Sequence, residues 1–185
     1  MKKEQVRQFI RAQKTILSET DRISAAECVF RKLETSAAFT LADNILLYLS
    51  LPDELSTREF ISRWADRKKF YLPRVNGLNL EILPYDKSSL HLGAFRIEEP
   101  SGDGLTPLET IDLIIVPAVA YDRKGNRLGR GKGYYDRLLK RTKATKIGVG
   151  YDFQLVEEID AEPHDIPVDI IITPSNHIVI RGKKH

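Results

Sequence analysis

A three-layer α/β sandwich, with a mainly parallel central sheet flanked by helices, is predicted by three observations. Segments of helical periodicity alternate with short apolar runs of strand length, the pattern that builds parallel sheets through helical crossovers. One such run, DLIIVPAVAY at 112–121, is apolar on nearly every residue, as expected for a central strand covered on both faces. It leads into a loop holding Gly125, Gly129, Gly131 and Gly133, and then into a helical pattern at Tyr134. That strand–loop–helix order is Rossmann-like, and open sheets of this kind bind ligands at such loops.

Taken in order, residues 3–17 set Val6, Phe9, Ile10, Ile16 and Leu17 at helical spacing. Ser18 and Asp21 supply capping chemistry before a second helix with Ile23, Ala26, Phe30 and Leu33 on one face. The run ILLYLSL (45–51) reads as a strand ended by Pro52. Ser56 and Glu59 form a capping-box pair opening a third helix, which carries Phe60, Ile61 and Trp64. Short strands are expected at Phe70–Pro73 and Leu80–Leu83. The polar stretch 85–110, rich in Gly and Pro, reads as loops around a short ordered piece. Beyond the glycine loop come a helix from about Tyr134 to Arg141, strands at 146–150 and 169–173, and an edge strand at 177–180. No repeat or linker divides the chain, so residues 1–185 are expected to form one domain.

Composition narrows the function classes. A net charge of +3 with scattered basic residues demands no nucleic-acid footprint. The single cysteine excludes an internal disulfide and any multi-cysteine zinc site, and Cys28 falls in an amphipathic helical pattern where a thiol is an inert packing group. The N-terminus lacks an apolar leader core, and no run approaches ~18 apolar residues. A cytoplasmic monomer acting on a small molecule, with neither nucleic acid nor membrane as partner, is expected.

The glycine loop carries the chemistry. Its glycines allow close backbone approach, the helix behind it presents a partial positive charge, and Arg127, Arg130 and Lys132 supply cations, which together suit a polyphosphate. Lys132 precedes Gly133 rather than Ser or Thr, so this is not a P-loop, and the spacing of Gly129, Gly131 and Gly133 is not the dinucleotide pattern. A flexible, solvated basic connection is the plain alternative. The position between a central strand and a helix, and the run Tyr134-Tyr135-Asp136 at the helix start, argue for a ligand site instead. Lys3 and Arg7, at i and i+4, share a helix face with Arg11 and Lys14, which by pattern alone is a solvated face.

The string GNRLGRGKGYYDRLL (125–139) resembles the signature of the 5-formyltetrahydrofolate cyclo-ligase, or methenyltetrahydrofolate synthetase, family. The resemblance extends in order through Lys3 and Arg7, YLSLPDELST (48–57), YLPRV (71–75), GAFRIEEP (93–100) and HDIPVDIIIT (164–173). Arg96 and Glu98 stand where the family usually has Gly and Pro. The resemblance implies conversion of 5-formyltetrahydrofolate to 5,10-methenyltetrahydrofolate with Mg-ATP, releasing ADP and phosphate. The formyl oxygen, a poor leaving group, is phosphorylated, and N10 then attacks the formyl carbon as phosphate departs. It further implies ATP contacts at Lys3, Arg7, Arg127, Leu128, Gly129, Arg130, Gly131, Lys132, Gly133, Tyr134 and Tyr135, with Arg130 and Lys132 acting on the transferred group. Folate contacts are implied at Leu49, Glu54, Phe95 and Arg130 to Tyr134, and Mg²⁺ ligands at Asp136 and Asp165. Asp169 reads as structural, and His164 as a companion of Asp165. Two other classes compete: an ATP-independent sugar-phosphate isomerase or CoA-transferase relative, and a basic RNA-binding module using Arg123 to Lys132, which the modest charge disfavours.

Overall fold

The computed structural model of the chain describes residues 1–93 and 98–180. Helices α1 (Lys3–Thr15), α2 (Glu19–Glu34) and α3 (Ala37–Leu41) precede β1 (Asn44–Leu46), and α4 (Arg58–Trp64) leads to the hairpin β2 (Lys69–Asn76) and β3 (Asn79–Pro84). A second, short hairpin, β4 (Leu90–Leu92) and β5 (Glu98–Pro100), precedes β6 (Leu113–Val116), β7 (Ala120–Asp122) and β8 (Arg127–Leu128). The chain closes with α5 (Tyr134–Leu139), β9 (Thr145–Val149), β10 (Leu155–Val156), β11 (Ile170–Thr173) and β12 (Asn176–Val179).

The seven-stranded sheet runs β12-β11-β9-β6-β1-β2-β3, parallel except for its two antiparallel edge strands. Alternation along each parallel strand divides the core between two faces. Ile45, Leu113, Ile115, Ile147, Val149 and Ile172 face α2, α3 and α4, where Val29, Phe30, Leu33, Phe39 and Phe60 meet them. Leu46, Ile114, Val116 and Ile171 face α5, meeting Leu138 and Leu139. The expected three layers are present. Helix α1 packs elsewhere: Val6 and Ile10 bury against Ala120, Leu128 and Ile159, beside the small sheet β10-β7-β8.

Three local expectations fail for identifiable reasons. The run 112–121 is not one strand, because Pro117 has no N–H for the ladder. β6 ends at Val116 and the chain re-enters a different sheet at Ala120. The glycine loop therefore follows β8, not the central strand directly. The run 45–51 pairs only through Leu46, and 47–50 continues as a buried loop. Side chains satisfy its backbone: Thr57 Oγ1 donates to Tyr48 O at 2.8 Å and accepts from Ser50 N at 3.2 Å, while Thr57 N donates to Ser50 Oγ at 3.2 Å. That engagement also overturns the Ser56–Glu59 capping box, since the N-cap of α4 is Thr57 and its hydroxyl is used elsewhere. Cys28 is half-buried, with Sγ 3.4 Å from Pro174 O.

Pro73 lies inside β2, which would be costly in a central strand. Here β2 has already run past β1, whose register stops at Leu46–Tyr71, so among the described residues no strand ladder is broken at Pro73 on that edge. Farther along that free edge, Val75 N donates to Glu99 Oε1 at 3.1 Å.

Candidate active site

A cavity of about 670 Å³ opens where the first turn of α1, the buried loop after β1, strands β2 and β3, the glycine loop and the 162–165 turn converge. Every expected site residue within the described range lines it: Lys3, Arg7, Leu49, Glu54, residues 127–136 and Asp165. Phe95 and Arg96 lie outside the described residues. Leu72, Pro73, Val75 and Leu80 add apolar wall.

The glycine loop is held by both ends. Val119 N donates to Leu128 O at 2.8 Å, and Arg7 Nε donates to Gly129 O at 3.2 Å, tying α1 to the loop. Gly131 (φ 104°) and Gly133 (φ 70°) occupy backbone space that other L-residues rarely adopt, and Gly133 is the N-cap of α5. Arg137, which sequence reading passed over, clamps the exit: Nε donates to Leu78 O at 2.6 Å and Nη2 to Lys132 O at 2.9 Å.

Arg127 sits beneath the loop with its side chain 5% exposed. Nη1 donates to Pro117 O at 3.1 Å, Nη2 lies 3.4 Å from Asp136 Oδ2, and the guanidinium carbon stands 5.6 Å from the Tyr135 ring centre. A Cβ at Gly129 would come within 3.1 Å of Nη1, so that glycine makes room for the guanidinium. Burial, with the nearby Glu54 charge, pushes the Tyr135 phenol well above its ordinary range, so at neutral pH it is a hydrogen-bond donor.

The carboxylates come from separate elements. Asp136, in the first turn of α5, accepts from Ile166 N at 3.5 Å, which draws the 162–165 turn toward the helix. Asp165 Oδ2 accepts from Glu162 N at 2.8 Å and lies 3.6 Å from Lys3 Nζ, which is also 3.3 Å from Glu162 Oε1. The ligand atoms of Glu162, His164 and Asp165 all lie within 4.8 Å of one another. His164 accompanies Asp165 as expected, with Nε2 3.4 Å from Oδ1. The oxygen-rich donor set suits a hard cation. Asp169 stands apart from the cavity, its Oδ2 accepting from Lys146 N at 2.8 Å. Glu54 accepts from Leu51 N at 2.9 Å and is 3.8 Å from Arg130 Nη2, and burial raises its carboxyl above the usual range.

Residues 1–174 match the model of the 5-formyltetrahydrofolate cyclo-ligase family. The chain is 33% identical over 177 residues to the 5-formyltetrahydrofolate cyclo-ligase of Escherichia coli K12, covering 90% of this chain and 97% of that one. The Haemophilus influenzae protein of the same name is 32% identical over 182 residues, covering 92% and 97%. Among solved structures, the NMR structure of Aquifex aeolicus 5,10-methenyltetrahydrofolate synthetase superposes with a TM-score of 0.89 at 35% identity, covering 100% of this chain and 96% of that chain.

Proposed function

The chain belongs to the 5-formyltetrahydrofolate cyclo-ligase family, and on that premise we propose that it closes 5-formyltetrahydrofolate to 5,10-methenyltetrahydrofolate in this cavity, acting as a cytoplasmic monomer with Mg-ATP as co-substrate. The observation that carries the reading is one cavity lined both by a cationic glycine cradle and by an apolar wall with a carboxylate, room for a nucleotide's phosphates beside a pterin.

The residues fit a triphosphate. Among the described residues a Cβ at Gly131 would meet only Arg7 Nη2, at 3.8 Å, so the backbone there is open to a ligand. Among the described residues, Arg127 Nε is buried without a hydrogen-bond partner. Arg130, Lys132, Lys3 and Arg7 would neutralise phosphate oxygens and the charge that develops during transfer, where positioning supplies most of the rate. Asp136 and Asp165 would hold Mg²⁺, which would supply positive charge against the phosphates. Lys3, now on Asp165 and Glu162, would exchange part of that pairing for phosphate. Leu49 and the wall from Leu72 to Leu80 would cover the folate ring and exclude water. Glu54 would accept hydrogen bonds from the pterin, and the protonated Tyr135 would donate to an oxygen of the substrate.

The deciding experiment mixes purified protein with 5-formyltetrahydrofolate and follows methenyl absorbance with and without Mg-ATP. ATP-dependent product is expected, and its absence from folded protein would overturn the reading. Family membership selects this reaction over the isomerase, CoA-transferase and RNA-binding alternatives.

Glu54 also predicts a trade between activity and stability. Its carboxyl is raised by burial, so the ionised form is disfavoured in the fold relative to the unfolded chain. The cost is absent at acid pH, where both states are protonated, and grows as pH rises from the unfolded value through the folded one. Glu54→Gln keeps an acceptor for Leu51 N and removes the charge. It is expected to stabilise the protein at pH 7.5 by roughly 0.5–1 kcal/mol while raising KM for folate far more than for ATP. Melting curves across pH should show the stabilisation shrinking toward pH 4; a constant offset would contradict the charge explanation.

A further inference from the structure

Four alternating charges run from Glu54 and Arg130 on the cavity wall to Asp53 and Lys14 behind it, and the last two have no role in the reading above. Arg130, on the glycine loop, sends Nη2 to both oxygens of Asp53, at 3.3 and 3.2 Å, and stands 3.8 Å from Glu54. Behind Asp53, Lys14 places Nζ 3.7 Å from Oδ2 with its side chain only 9% exposed. Lys14 is on the same α1 helix as Lys3 and Arg7, four residues beyond buried Ile10.

The turn carrying Asp53 is braced. Glu54 N donates to Leu51 O at 3.0 Å and Leu51 N donates back to Glu54 Oε1. From α2, Arg22 donates to Pro52 O at 3.2 Å and to Lys14 O at 2.6 Å, joining the turn to the end of α1. Asp53 is thus a fixed acceptor facing a cation on a glycine-rich loop. A half-exposed ion pair contributes little to stability, so its consequence is where the guanidinium points. Burial lowers the Lys14 ammonium from its usual range; for Asp53, burial works upward but the charges of Lys14 and Arg130 outweigh it and hold the carboxyl low. Asp53 therefore stays ionised at neutral pH.

We propose that Asp53, backed by Lys14, is a positioning residue that holds Arg130 in the orientation needed to meet the transferred phosphoryl group. This rests on the reading of Arg130 as a phosphate ligand. A guanidinium anchored through Nη2 keeps its remaining N–H donors aligned before substrate arrives, so less freedom is lost on binding.

The test is a double-mutant cycle on kcat/KM for ATP, using Asp53→Asn and Arg130→Ala. Asp53→Asn is expected to lower kcat/KM about tenfold and, because buried Lys14 loses its counter-charge, to lower the melting temperature modestly; the kinetic loss should almost vanish when Arg130 is already Ala. Asp53→Glu should recover most of the loss. Lys14→Met should give a smaller loss that is likewise silent in the Arg130→Ala background. An equal loss in both backgrounds, or no loss from Asp53→Asn, overturns the positioning role alone. If Arg130→Ala itself leaves kcat/KM unchanged, the phosphate role of Arg130 fails and the positioning role with it. If the native protein shows no ATP dependence, it is the functional reading that fails.

Discussion

Asp136→Asn should weaken the Mg²⁺ dependence of the reaction about a hundredfold and, separately, lower the melting temperature by roughly 4–8 °C. The substitution preserves shape and removes one negative charge, so both effects trace to that charge. In the fold, the carboxylate lies 3.4 Å from Arg127 Nη2, with side chains only 19% and 5% exposed. The guanidinium would keep its bond to Pro117 O but lose its counter-charge, while its Nε has no hydrogen-bond partner among the described residues. Breaking a fully buried pair costs about 3–5 kcal/mol; the partial exposure of Asp136 brings the expectation down to about 2 kcal/mol. An acidic residue that merely favours the start of a helix would cost a few tenths of a kcal/mol and leave the metal alone. The two readouts separate the claims. A Mg²⁺ titration of the initial rate with an unmoved midpoint removes Asp136 from the metal site, and an unmoved melting temperature shows that Arg127 does not depend on it.

The layers were legible in sequence because periodicity reports burial, and here burial is regular: alternate residues of β1, β6 and β11 enter opposite cores. The failures were non-local. Nothing near Leu47 announces that its strand ends after Leu46, because the reason is a hydroxyl network with Thr57, ten residues on. Pro117 was visible, but the apolar residues on both sides masked a change of sheet as a single strand.

The site divides in the same way. Residues 127–136 are contiguous, so their glycines and cations could be read directly. Lys3, Glu54 and Asp165 meet only through tertiary structure, and resemblance alone nominated them. Asp53, Glu162 and Arg137 carry no local pattern that singles them out. Lys14 did leave a signal: Val6, Ile10 and Lys14 repeat every four residues, so the lysine occupies a position the helix buries.

Gly148→Ala is expected to be strongly destabilising, and it would reach the site through the fold. Gly148 is buried in β9, paired with Val116 of β6 on one side and Ile171 of β11 on the other. Its missing side chain leaves room for the Tyr121 ring: a Cβ would press on Cε1 and lie 2.7 Å from Cζ. The ring cannot swing away cheaply. Tyr121 is fully buried, and its hydroxyl donates to Val116 O at 2.5 Å and lies 3.4 Å from Val149 O. Overpacking against so constrained a neighbour should cost about 3 kcal/mol, a fall of roughly 6–12 °C in melting temperature. The displaced ring would disturb the corner between β6 and β7, where Pro117 O receives Arg127 Nη1, so the folded fraction should also bind nucleotide less well. Pairing the substitution with Tyr121→Leu relieves the clash, and the double variant should lose less than the sum of the two single losses. Additive losses, or a Gly148→Ala protein that melts within about 2 °C of the native one, would mean that the close approach of Tyr121 does not constrain this corner of the sheet.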